Sequence, residues 1–226
     1  MISLGALFKR QLWRETLLLT RQLRFVINAS LFFLMVLIFF PLTMPADHML
    51  LRMIAPGLIW IALLLALIMS AERLFQQDYE DGVIEQWLVS GYPVSLMVLA
   101  KILMHWLFNL LPLVVICPVF AVIFALNGHE TMILIGSLIC GSPALLFLCA
   151  LAAVFSGGLK QKGIFMALIL LPLTVPVMIF GSGAVTVAMQ GMAVRGYLAL
   201  LLAMSLVAAC LLPVAIAAMM RISMAD

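Results

Sequence analysis

Charge is what this 226-residue chain has least of: twelve Lys and Arg and nine Asp and Glu make up 9% of its residues. Soluble domains carry about 25% charged residues. With 67% of residues hydrophobic, the apolar surface exceeds what a soluble fold can hide, and the chain is expected to be an all-α integral membrane protein. So little charge also argues against a nucleic-acid partner. Cysteine is scarce too: Cys117, Cys140, Cys149 and Cys210 all fall inside predicted spans without metal-ligand spacing. That excludes a disulfide scaffold or zinc site and leaves small apolar packing residues. Nucleotide motifs are missing as well: there is no Gly-x-x-x-x-Gly-Lys-Ser/Thr loop and no Gly-x-Gly-x-x-Gly after a strand. Any ATP used here must be bound by another chain. The N-terminal apolar run ends at Phe39-Phe40-Pro41 without a small-residue cleavage site, so the N-terminus is expected to be retained.

What the chain has is long apolar runs. Six are long enough to span a bilayer, at residues 25–42, 53–71, 97–125, 131–156, 164–188 and 196–220. Pro112, Pro118, Pro143, Pro172 and Pro176 predict kinks whose freed backbone groups neighbouring helices can satisfy. Residues 1–24 form a separate unit, an amphipathic helix lying on the membrane. Leu4, Phe8, Leu12, Leu19 and Leu23 share one face, Arg10, Arg14, Arg21 and Arg24 share the other, and Trp13 suits the headgroup level. Its arginines are expected to meet anionic lipid. Residues 25–226 form a single transmembrane domain. With the N-terminus inside, ten basic residues fall on the inner side and only Arg52 and Arg195 on the outer. That bias predicts both termini in the cytoplasm.

One charged island breaks the pattern. Residues 72–87 hold five of the nine acids, Glu72, Asp78, Glu80, Asp81 and Glu85, between the second and third spans. The loop 72–93 is therefore expected on the cytoplasmic side, as is the smaller loop 157–163 with Lys160 and Lys162. Gly82 predicts a turn between two short helices, Glu72–Tyr79 and Val83–Val89. Phe75, Tyr79, Ile84 and Trp87 provide apolar anchors beside the carboxylates, a combination suited to docking in a groove of a soluble partner. The competing readings are a loop kept charged for topology and a Mg²⁺ site on Asp78, Asp81 and Glu85 of a membrane-embedded transferase. Gly82 would interrupt that acidic face, and the other cytoplasmic loop adds no carboxylate.

Three further features carry chemistry. Lys101, His105 and Asn109 recur every four residues and line one face of the third span. Lys101 can snorkel to the surface. His105 is deeper, and is either a substrate or proton contact or a histidine hydrogen-bonded within the bundle. His48 and His129 fall in separate outward loops, where they either touch a metal or haem iron or are simply solvated. No Cys-x-x-Cys-His motif indicates covalent haem.

Several stretches together resemble one family. They are Ile54–Trp60, the island core Arg73–Gly82 with Glu85 and Gln86, Lys101–Trp106, Gly141–Pro143, Leu171–Gly181 and Pro213–Ala217. The chain resembles the haem exporter protein B family, CcmB, over nearly its whole length. The resemblance implies an ABC-2-like permease subunit of the bacterial inner membrane that forms a homodimer and pairs with a separate ATPase, CcmA. It would work with the haem-handling CcmC, CcmD and CcmE in cytochrome c maturation, with haem as the handled ligand and ATP reaching it only through the partner. In such permeases the loop between the second and third spans carries a coupling helix. Here that role would fall on Glu72, Arg73, Phe75, Asp78, Tyr79, Glu80, Asp81, Gly82, Glu85 and Gln86. A structural scaffold for the assembly is the remaining reading.

Overall fold

The computed structural model describes residues 3–21, 23–43, 48–156 and 162–223. Among these residues all regular structure is helical: α1 (Leu4–Arg21), α2 (Leu23–Thr43), α3 (His48–Ala71), α4 (Gln76–Glu80), α5 (Val83–Val89), α6 (Val94–Ile123), α7 (Gly128–Ser156), α8 (Lys162–Met189) and α9 (Arg195–Ser223). Helices α2, α3, α6, α7, α8 and α9 are long and apolar enough to cross a membrane. These are the six expected spans. A bilayer core of about 30 Å needs about 20 helical residues, so α6 with 30 residues has turns to spare. Those turns bring its first part out to the charged island.

Helix α7 is the centre of the bundle and packs against α3, α6, α8 and α9. Two glycines at these contacts, Gly141 of α7 and Gly181 of α8, have a packing reason. A Cβ on Gly181 would lie 2.2 Å from the Trp60 ring, and one on Gly141 would lie 2.6 Å from it. The fully buried Trp60 of α3 thus fills a notch that only glycine leaves open in α7 and α8. Just beyond the notch Pro143 interrupts α7. Ser205 of α9 bridges the break: its hydroxyl donates to the Cys140 carbonyl and accepts the Ala144 N–H at 3.2 Å. A neighbouring helix thereby supplies a hydrogen bond that kinked α7 cannot make itself. Trp106 of α6 donates to Ser142 Oγ at 2.8 Å, so four helices meet on one turn of α7.

Two expectations need correction. His48 and His129 are not in loops: His48 opens α3 and His129 lies in the first turn of α7, both exposed. Both helices begin before their apolar runs, and in α7 a polar side chain holds the first turn. Glu130 accepts the Asn127 N–H at 2.9 Å, half of a capping box, and binds Arg52 of α3 at 2.6 Å. The face of α1 also differs from expectation. Its most buried residues are Gln11 and Glu15, flanked by half-buried Phe8, Leu12 and Leu19, while Leu4, Trp13 and Leu17 are exposed. The helix packs along α6 through a polar centre, for a reason that lies in the island. Lys160 and Asp47 fall outside the described residues.

Candidate functional site

The island folds as a two-helix strap across the end of the bundle. Residues 72–75 form turns rather than helix, so the first helix is the shorter Gln76–Glu80. Gly82 takes φ +68° between α4 and α5, a left-handed conformation that disfavours a side chain. The strap has two faces. Leu74, Phe75, Asp78, Ile84 and Trp87 are buried against the bundle, while Glu72, Arg73, Glu80, Asp81, Glu85, Gln86 and Val89 are exposed. Phe75, Ile84 and Trp87 therefore anchor the strap to its own chain instead of standing ready for a partner. Tyr79 is half-buried near Ser223 at the end of α9, and burial raises its pKa above the ordinary 10.0.

Asp78 and Lys101 depart furthest from expectation. Lys101 does not reach the surface; it lies 2.7 Å from Asp78 Oδ2 and 3.1 Å from Glu15 Oε2. The other oxygens of the same two carboxylates face Arg14, at 3.1 Å for Glu15 and 3.6 Å for Asp78. Two cations and two anions thus alternate in a closed, neutral ring. The Asp78–Lys101 contact is ionic and lacks hydrogen-bond alignment, whereas Glu15 also accepts from Gln11 Nε2 at 2.8 Å. The Glu15 side chain is 2% exposed and that of Asp78 6%. At such burial the pairing offsets a desolvation cost of several kcal/mol per ion. Arg14 also lies over Trp87, 5.9 Å from the ring centroid. The ring joins α1, α4 and α6, with α5 tied on through Arg14.

One turn deeper the polar face of α6 continues. Ser70 donates to Asn109 Oδ1 at 3.2 Å and stands 2.6 Å from His105 Nε2, and Asn109 Nδ2 donates to the His105 carbonyl at 2.8 Å. His105 is thus hydrogen-bonded within the bundle. A cleft of about 360 Å³ between α1, the strap and α6 reaches His105 and Ser70. Beyond Asn109 the buried face of α6 is Leu110, Leu113, Cys117, Phe120 and Ala121, so the polar file stops partway along the helix.

The geometry rejects a metal centre on the island. Asp78 turns inward onto two cations while Asp81 and Glu85 face out, so the three carboxylates do not converge. Among the described residues no three of His, Cys, Asp and Glu gather to hold an ion. Glu15 was missed from sequence although it is the only acid among residues 1–46, a signal that a buried cation elsewhere needs it.

Comparison with known proteins fits this architecture. Residues 5–223 match the family model described as CcmB protein. The chain is 42% identical over 219 residues to heme exporter protein B of Pseudomonas aeruginosa, covering 97% of this chain and 98% of that protein. It is 37% identical to heme exporter protein B of Haemophilus influenzae over 211 residues, 93% of this chain and 96% of that protein. The Escherichia coli K12 protein of the same name is 37% identical over 198 residues, 88% of this chain and 90% of that protein.

Proposed function

The chain belongs to the CcmB family, and from that premise we propose that it is the membrane subunit of an ABC-type transporter serving haem export in cytochrome c maturation. It sits in the bacterial inner membrane with both termini and the island in the cytoplasm. Two copies pair with a CcmA-like ATPase, and CcmC-, CcmD- and CcmE-like proteins handle the haem. The segment Glu72–Gln86 receives the movement that ATP drives.

The two-faced strap carries this reading. Its outer face offers Glu80, Asp81, Glu85 and Gln86 to a basic groove, while Phe75, Asp78, Ile84 and Trp87 fasten its inner face to the bundle. A surface loop serving solubility alone has no need of such anchors. Force applied outside is passed inside, with Gly82 as the joint and Tyr79 near the end of α9. Mechanical transmission is favoured over conduction of haem through one chain. Haem brings two propionates, and the polar face of α6 gives way to apolar side chains beyond Asn109.

The triple variant Glu80→Ala, Asp81→Ala, Glu85→Ala tests the docking role. The ATPase subunit recovered with this chain in mild detergent should fall at least tenfold, as should ATP-dependent cytochrome c assembly. Normal recovery together with normal assembly would sink the reading.

A further inference from the structure

We infer that Lys101 is the positioning residue through which the strap drives the membrane helices, because the ring Arg14–Glu15–Lys101–Asp78 clamps α1, α4 and α6 into one moving body. This rests on the coupling role proposed above. Helix α4 has five residues, too few to hold itself together without tertiary support. The apolar anchors of the strap around it, Phe75 before α4 and Ile84 and Trp87 in α5, resist separation from the bundle but not sliding along it, since apolar contact is non-directional. The ring supplies the missing direction. Each carboxylate spends one oxygen on Lys101 and the other on Arg14, so no member can shift without losing two partners. Lys101 and Glu15 are 86 residues apart, and their side chains pin the packing of α1 along α6 at one point.

The clamp also has an onward route. Lys101, His105 and Asn109 share the buried face of α6, and the latter two meet Ser70. Ser70 is next to the last residue of α3, just before the chain enters the strap. Displacement of α4 is therefore passed to α6 and α1 together and then to α3. Lys101 touches neither nucleotide nor cargo on this account, and acts entirely through its neighbours.

The test uses the full complex in membranes. Lys101→Met should leave ATPase recovery at the wild-type level while cytochrome c assembly falls at least tenfold, and Lys101→Arg should restore most of it. Spin labels at Lys9→Cys and at the exposed Val89→Cys, outside the docking segment, report the clamp directly. Their separation should be the same with and without ATP in the parent complex, and should broaden and become nucleotide-dependent in Lys101→Met. Should Lys101→Met fail to accumulate, Glu15→Gln, Lys101→Met in one chain leaves Asp78 paired with Arg14 and no charge in excess, and should show the same uncoupling. Wild-type assembly in either variant overturns the clamp, as does an unchanged label separation. Loss of ATPase recovery in Lys101→Met also overturns it, because the ring would then only shape the docking face; the docking role itself would stand.

Discussion

The two ends of the helix bundle both bury a carboxylate against a cation, and they do so to opposite effect. At the far end Glu130 binds Arg52 and caps α7 through Asn127. This is a two-helix stitch with one partly exposed partner. At the strap end two carboxylates and two cations from three helices close a ring beside an open cleft. The stitch fixes two neighbours in place. The ring instead ties the short strap helix α4 to α1 and α6 beside a cleft that leaves the strap room to move.

Breaking each end separately measures the difference. The largest effect is expected from Lys101→Met, which leaves Glu15 and Asp78 to share Arg14 alone in a buried site and should lower unfolding stability by about 3–5 kcal/mol, read by thermal unfolding in detergent. Neutralising Glu15 as well restores the charge balance, with Asp78 on Arg14, and should recover most of that stability. The waist joining the two ends comes next. Gly181→Ala drives a methyl to within 2.2 Å of the Trp60 ring and should cost about 1–3 kcal/mol through overpacking. Glu130→Ala at the far end should cost only about 1 kcal/mol, because a half-exposed pair is screened and the cap is a single hydrogen bond; cytochrome c assembly should be unchanged. Equal losses from Lys101→Met and Glu130→Ala would erase the contrast between the ends.

The smallest effect is a pH dependence. Burial raises the Tyr79 pKa above 10.0, so the folded state holds the phenolic proton more tightly than the unfolded state. Its contribution is therefore complete below pH 10 and is lost as pH climbs through the folded value. Tyr79→Phe should flatten the alkaline limb of the stability profile and leave neutral pH nearly untouched.

Much of this architecture is legible in the sequence, for physical reasons. Long apolar runs demand spans, Gly82 demands a turn, and basic residues bias one side. Helix starts were less legible. At Gly128 the Glu130 carboxylate caps the helix ahead of the apolar run, and its pairing with Arg52 joins distant segments. The ring was invisible for the same reason. Glu15 and Lys101 meet only after α1 packs along α6, and a five-residue helix has too little periodicity to show that Asp78 points inward. Composition held one unused hint: Lys101 is the only Lys or Arg between Arg73 and Lys160, as Glu15 is the only acid in the first 46 residues.

The end of the polar file at Asn109 has a consequence for energy conservation. A membrane that stores work as a proton gradient is short-circuited by any unbroken relay of exchangeable hydrogens. Helix α6 starts such a relay at Lys101, His105 and Asn109 and then interrupts it with Leu113, Cys117 and Phe120. The apolar length of α6 insulates, so its charged end can be moved from one side without discharging the membrane it crosses.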